Sequence, residues 1–310
     1  MIALRVATRA SELALAQARQ VADLLARALG RPAELVPIKT EGDRLASVSL
    51  AKLGGKGLFV KEIQDALLDG RADFAVHSAK DLPAVLPAEL ALVAFPERAD
   101  PRDALIARER GVTLATLPAG ARVGTGSLRR AAQLRARRPD LEIAPLRGNV
   151  PTRLRKLESE GLDAVVLACA GLERLGLAER IDERLAPEIL LPAVGQGVLA
   201  VEARAGSELA REAGVITHRA TAECWAAERA VLVGLAADCN VPLAAYAEFT
   251  ARGALRLRAL LAATGGARVL RAELEGPPAD AALLGARAAE AILREGGAAL
   301  LAQLRAEALA

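Results

Sequence analysis

Residues 122–156 read RVGTGSLRRAAQLRARRPDLEIAPLRGNVPTRLRK. A short apolar strand runs into a small-residue turn and a helix. A second strand follows, and another glycine turn opens a second helix. Gly124, Thr125, Gly126 and Ser127 can turn sharply and leave backbone N–H groups facing outward at a helix N-terminus, where the peptide dipoles favour an anion. Arg129 and Arg130 follow in the first turn of that helix. Adjacent helical residues point about 100° apart, so the two guanidinium groups are expected to reach different carboxylates of a ligand rich in acid groups. Arg147 and Arg153 flank the next turn, at Gly148 and Asn149. Either turn alone is an ordinary α/β connection, and Arg137-Arg138 shows that arginine pairs also occur at a solvated helix end. Two turns of one kind, both armed with arginine, point to a cleft for a polyanion.

Toward the N-terminus, Ile2 to Ala7 reads as a strand, and Thr8, Arg9 and Ser11 form a turn into a helix that Gly30, Arg31 and Pro32 end. A strand from Leu35 to Ile38 completes a βαβ unit, which implies a parallel sheet with its ligand site beyond the strands' C-terminal ends. Arg9 and Ser11 sit at such an end. In LAKLGGKGLFVKE, residues 50–62, Gly54, Gly55 and Gly57 surround Lys56, and Lys61 follows. No Ser or Thr follows Lys56, which excludes a Walker A loop and leaves a mobile cationic lid or a plain flexible loop. Asp73 to Val76 is a short buried strand that delivers His77, Ser78, Ala79, Lys80 and Asp81 before Pro83. Two charges, a hydroxyl and an imidazole directly after a strand mark either a site or a capped surface turn, since burying such a set without partners is costly. Asp81 is the natural acid among them.

On the C-terminal side of this region, residues 96–102 form a polar, proline-bearing crossover that reads as an interdomain hinge. The Arg-rich domain continues through the strand Ala164 to Cys169 and a helical segment with Arg174. At ILLPAVGQGVLAVE, residues 189–202, the chain is expected to cross back into the first domain, with Gln196 near the cleft. A helix from Arg219 to Leu235 then leads to the loop AADCN at 236–240. Three strand-like runs follow, Leu243 to Phe249, Leu255 to Leu261 and Arg268 to Leu274, with turns at Gly253 and Gly265-Gly266. Asp280 would cap a closing helix, Ala281 to Arg294. The expected domains are 1–97 with 198–215, then 102–193, then a small α+β domain at 219–310.

Composition narrows the class. At 310 residues, with 53% hydrophobic, 25% charged and 2% aromatic residues, the chain is long enough for two or three cores. No run approaches the ~18 apolar residues of a membrane span. The first residues alternate like a strand and lack the basic-then-apolar order of a secretory signal, so a cytoplasmic location is expected. Cys169, Cys224 and Cys239 form an odd set without metal-ligand spacing, and there are only two histidines, which argues against a disulfide framework or a metal site. A net charge of +3 and few aromatics argue against nucleic-acid binding.

Taken in order, ATRASELALAQ, GGKGLFVKE, HSAKDLP, VGTGSLRR, LRGNVPTRL and LPAVGQG resemble the porphobilinogen deaminase family, whose members are also called hydroxymethylbilane synthases. The resemblance spans nearly the whole chain. It implies two similar α/β domains of the type II periplasmic-binding-protein kind joined by a hinge, and a third small α+β domain. It implies a transferase that joins four porphobilinogens, with loss of four ammonia molecules, into the linear tetrapyrrole hydroxymethylbilane. It also implies a dipyrromethane cofactor held by a cysteine thioether, here Cys239, and a monomer that takes a small-molecule substrate and neither nucleic acid nor membrane. By motif, Asp81 would be the catalytic carboxylate, buried and stabilising positive charge as ammonia leaves. Lys80, Ser127, Arg129, Arg130 and Gly148 would hold the cofactor. Arg9, Ser11, Arg147, Arg153 and Arg174 would hold substrate carboxylates with Gln196 nearby, and Lys56 and Lys61 would belong to the lid. Arginine pairs bidentately with carboxylates, which suits a ligand with two per pyrrole. Around Cys239 the chain departs from the family's usual pair of preceding glycines and following glutamine, having Ala237, Asp238 and Asn240 instead. Fewer glycines restrict the loop, and a neighbouring carboxylate disfavours the thiolate. Two rivals remain at this point: a noncatalytic two-lobed binding protein for a polyanionic small molecule, and an acyl-transfer enzyme using Cys239 with His218 as base, for which no third residue orients the histidine.

Overall fold

The computed structural model describes residues 2–40, 60–237 and 241–309. Lys56 with its glycines, and Cys239 with Asp238 and Asn240, lie outside the described residues. The elements begin with β1 Leu4–Arg9, α1 Glu12–Leu29, β2 Ala33–Ile38, α2 Lys61–Leu68, β3 Phe74–Ser78 and β4 Leu90–Ala94. They continue with β5 Asp103–Ala107, β6 Arg122–Gly124, α3 Leu128–Arg137, β7 Glu142–Ala144, α4 Val150–Ser159, β8 Ala164–Ala168, α5 Cys169–Arg174 and β9 Glu183–Leu185. The last third holds β10 Leu199–Arg204, α6 Glu208–Ala213, α7 Arg219–Gly234, β11 Leu243–Phe249, β12 Leu255–Ala262, β13 Val269–Gly276, α8 Ala281–Ile292 and α9 Ala298–Leu309. None of the helices among the described residues is long and apolar enough to cross a membrane.

The chain forms two compact units, one of residues 1–99 and 197–222, the other of residues 100–196 and 223–310. In the first unit the sheet order is β2-β1-β3-β10-β4. β1 pairs in parallel with β2 and β3, whereas β10 runs antiparallel to β3 and β4. Alternate side chains of a strand face opposite ways, so the sheet is covered on both sides. Leu4, Val6, Phe74, Val76 and Val201 meet Ala18, Val21 and Leu25 of α1, while Ala7 and Ala75 meet Ile63, Ala66 and Leu67 of α2. Helix α1 starts where Ser11 accepts a hydrogen bond from the Ala14 N–H at 3.3 Å and stops at Gly30, whose φ of 63° a side chain would oppose. Strand β1 runs on through Arg9 rather than ending at Ala7, because parallel pairing with β2 continues to Arg9 and Ile38.

The second unit repeats that plan. Its sheet order is β7-β6-β8-β5-β9, with β6 parallel to β7 and β8, and β5 antiparallel to β8 and β9. Position for position the two sheets match, down to a reversed strand in fourth place. In the first unit that strand is β10, which follows the chain's return at Gly197. In the second it is β5, which follows its departure at Asp100.

The C-terminal meander β11-β12-β13 belongs to the second unit, backed by α8. A Cβ on Gly285 would lie 2.2 Å from the Ala227 carbonyl oxygen, so α7 and α8 cross at backbone contact. The β12–β13 turn also approaches the backbone of α3. At Gly266, where φ is +77°, a Cβ would stand 2.6 Å from the Ala132 carbonyl oxygen. Ala132 and Leu191 share one apolar cluster with Ala244, Leu260 and Ala262 of the meander. The closing helix ends at Ile292, two residues earlier than expected, and a kink with Gly296 at φ 95° starts a further helix, α9.

Candidate active site

In the first unit, β3 ends at Ser78 and a single 3₁₀ turn, Ala79–Asp81, follows. The Ala79 N–H donates to the Val198 carbonyl at 3.0 Å and the Leu82 N–H to Ala79 at 3.2 Å, which pins the turn. Asp81 is exposed and Lys80 half-buried, so the expectation of a buried acid at this position is corrected. A turn of three residues at a strand's end presents its last side chain outward. His77 does not join them: it is 6% exposed, with Nε2 2.9 Å from Glu202 Oε2 on β10. Gln64 of α2 donates to the other oxygen of Glu202 at 2.8 Å. Arg9 ends β1 half-buried, Ser11 caps α1, and Lys61 opens α2 exposed to solvent.

In the second unit both glycine turns are helix caps. Ser127 accepts from the Arg130 N–H at the start of α3, and Asn149 from the Thr152 N–H at 3.0 Å at the start of α4. Gly126 must be bare, since a Cβ there would lie 2.5 Å from the Leu146 carbonyl oxygen. Gly148 has φ +113°, and its carbonyl accepts from Arg153 Nε at 2.7 Å. Arg147 is exposed, Arg153 and Ser127 half-buried. Arg174, on α5, has its guanidinium pushed down to about 10 by burial, with Glu173 opposing that shift.

Arg129 and Arg130 depart most from the sequence-based expectation. Instead of facing outward to separate carboxylates, each is 5% exposed and both bind one internal acid, Asp103, the first residue of β5. Asp103 Oδ1 accepts from Arg130 Nε at 2.9 Å, from Arg130 Nη2 at 2.7 Å and from Gln196 Nε2 at 2.9 Å. Its Oδ2 accepts from Arg129 Nη1 at 2.7 Å. Burial works against the charge on Asp103, but the two guanidinium groups outweigh it and hold the carboxyl far below the usual carboxylate range. Arg130 Nη1 also donates to the Val166 carbonyl, and Arg129 Nη1 to the Leu191 carbonyl. Gln133, one turn after Arg129, brackets Leu191 by accepting its N–H and donating to its carbonyl. Gln196 is thus buried beside the arginines, with a second bond to the Pro101 carbonyl at 2.7 Å.

The acid at the centre of this group carried no motif. The available signal was a lone aspartate heading the wholly apolar run DALIA, a charge that must find partners once its strand is buried. Among the described cysteines, Cys169 and Cys224 are both buried, and burial pushes the Cys169 thiol up to about 12. Neither suits nucleophilic use at neutral pH.

Fold and site together define a two-lobed α/β protein with like sheets, an exposed acid turn on one lobe and arginine-bearing capped turns on the other. Residues 4–212 match the family model described as "Porphobilinogen deaminase, dipyromethane cofactor binding domain", and residues 222–294 match "Porphobilinogen deaminase, C-terminal domain". The chain belongs to the porphobilinogen deaminase family. It is 51% identical over 304 residues to the porphobilinogen deaminase of Syntrophotalea carbinolica, covering 97% of this chain and 96% of that one. With the enzyme of Bordetella parapertussis it shares 52% identity over 303 residues, at the same coverage. Similar solved structures include a periplasmic substrate-binding protein of an ABC transporter from Coxiella burnetii, at TM-score 0.42 and 13% identity over 73% of this chain and 96% of that one. Immunogenic lipoprotein A from Vibrio vulnificus aligns at TM-score 0.40 and 14% identity, over 69% of this chain and 94% of that one. The donor chemistry fits the family's cofactor: Ser127, Arg147, Arg153 and Arg174, with the bare backbone at Gly126 and Gly148, suit a group bearing several carboxylates.

Proposed function

We infer that this chain is a porphobilinogen deaminase that joins four porphobilinogens stepwise and releases hydroxymethylbilane and four ammonia molecules. The observation that carries this is the match to both family models together with about half of all residues shared across 97% of the chain. When bound, the dipyrromethane held through Cys239 would supply the first nucleophilic pyrrole carbon, each added ring would offer its own free α-carbon to the next with loss of that carbon's proton, and water would release the finished tetrapyrrole. The chain's own residues do the rest. In each round the aminomethyl C–N bond of porphobilinogen breaks, the electron pair leaves with nitrogen as ammonia, and a positive charge develops on the pyrrole. Asp81 stabilises that charge while ionised and accepts from the pyrrole N–H. Its exposed position on a pinned turn leaves it open to an incoming substrate. Lys80, Ser127, Arg129 and Gly148 hold cofactor carboxylates, and Arg130, engaged with Asp103 and the Val166 carbonyl, braces them from within. Arg9, Ser11, Arg147, Arg153 and Arg174 hold those of the substrate, with Gln196 supporting them.

Asp81→Asn tests the catalytic part. The variant keeps size and loses charge, so it should fold and retain cofactor yet turn over porphobilinogen about 100-fold more slowly or worse, the equivalent of ~3 kcal/mol in the transition state. Near-normal ammonia release at saturating substrate would remove Asp81 from the mechanism and favour a binding protein.

A further inference from the structure

Asp103, Arg129 and Arg130 bring two permanent positive charges and one negative charge into a place where Asp103 is 0% and each arginine 5% exposed. Four N–H donors reach the carboxylate, three on Oδ1 and one on Oδ2, and as an anion it repels rather than binds a ligand carboxylate. Among these three side chains one positive charge is left uncancelled. Buried charge without a counter-charge is costly, so the arrangement is complete only when an anion of charge one joins it.

The geometry also says which donors meet that anion. Arg129 Nη1 spends both of its hydrogens, on Asp103 Oδ2 and the Leu191 carbonyl, each at 2.7 Å. Leu191 is itself fixed by Gln133 through bonds of 2.8 and 3.1 Å. Among the described residues nothing accepts from Nε or Nη2 of Arg129, which together form one edge of a planar fork suited to a carboxylate.

We propose that Asp103 is a positioning residue for the reaction, cancelling one of the two guanidinium charges and turning Arg129 so that its Nε–Nη2 edge meets a single ligand carboxylate. Without Asp103 the pair would attract a dianion, and the grip on a growing polycarboxylate chain would tighten at the expense of release. This inference rests on Arg129 being a carboxylate-binding residue, as the proposed function holds.

The test uses the full chain, in its cofactor-free fraction as judged by intact mass, with inorganic phosphate as probe. Thermal unfolding is followed in chloride and in phosphate at equal ionic strength. Asp103→Asn should gain at least twice the wild-type rise in melting temperature on adding phosphate, and Arg129→Gln should gain less than wild type. Asp103→Asn/Arg130→Gln, which removes one charge of each sign, should return to the wild-type rise. Equal rises in wild type and Asp103→Asn, with a reduced rise in Arg129→Gln, would overturn the role of Asp103 and leave the proposed function standing. An unchanged rise in Arg129→Gln would instead remove Arg129 from ligand binding and the inference with it. If Asp103→Asn does not unfold cooperatively in chloride, the double variant decides. Its folding with a wild-type rise supports charge balance, and its failure to fold shows that shape, not charge, made Asp103 necessary.

Discussion

The reversed fourth strand of each sheet carries a fully buried carboxylate, Glu202 on β10 in one unit and Asp103 on β5 in the other. Their partners differ in kind. Glu202 sits between His77 and Gln64, one a base whose charge depends on protonation and the other neutral. Asp103 sits between two arginines and a glutamine. A guanidinium cannot shed its proton in a protein, whereas an imidazole can. The corresponding strands thus hold their acids at different registers, Glu202 opposite Ala75 and Asp103 opposite Ala168, one beside an imidazole and an amide and the other beside two guanidinium groups whose charges exceed its own. Strand order alone does not set the character of a lobe; the residues facing one acid do.

The contrast can be broken most sharply at Arg130. Arg130→Ala should destabilise the second unit by about 3–5 kcal/mol, the usual consequence of removing one partner of a buried ion pair, measured as a shift in the urea midpoint. A loss below 1 kcal/mol would mean the cluster contributes no more than a surface pair. The acid limb of stability gives a second, smaller effect. The folded carboxyl of Asp103 is held below its ordinary value of 3.8, so its contribution is fully present above that value and lost as pH falls through it toward the folded value. In that window the stability of the wild type should fall by up to about 1.4 kcal/mol per pH unit more than that of Asp103→Asn. Parallel acid limbs for the two proteins would contradict the pairing. The smallest effect is expected at Glu202→Gln, about 1 kcal/mol, because Gln can still accept from an imidazole N–H and no guanidinium loses its partner. A loss as large as that of Arg130→Ala would erase the distinction between the lobes.

Much of the frame was legible because it depends on local chemistry. Ser11, Ser127 and Asn149 cap helices where a short polar side chain precedes an apolar-periodic run, and Gly30 ends α1 as a left-handed residue should. The meander strand Leu243–Phe249 could be read as a mostly apolar run before the turn at Gly253. Other features depend on partners distant in the chain. Arg129 and Arg130 lie 26 and 27 residues from Asp103, and no local pattern says that two arginines in a helix's first turn will point inward to one acid. His77 looked like a member of the exposed turn because its neighbours are polar. Glu202, which draws it inward, arrives 125 residues later. Strand β4 is the run LALVA and β5 is DALIA, short apolar stretches without alternation that lie on either side of the polar segment read as a hinge. The second closing helix has no local signal, because Gly296-Gly297 reads as a terminus, whereas the chain turns there and resumes.

The contact at Gly266 bears on how this chain could be taken apart or recombined. Sequence divides it near residues 212–222, where one family model stops and the next begins. Packing draws a different line: the β12–β13 turn lies on the bare backbone of α3, and Ala132 and Leu191 are sealed by Ala244, Leu260 and Ala262. A fragment cut at the sequence boundary would leave the apolar patch around Ala132 and Leu191 open beside the helix that bears Arg129, and a lobe transplanted without its meander would self-associate through it. The modular unit available to an engineer is the second lobe with its C-terminal sheet, two stretches of chain that are far apart in sequence and inseparable in packing.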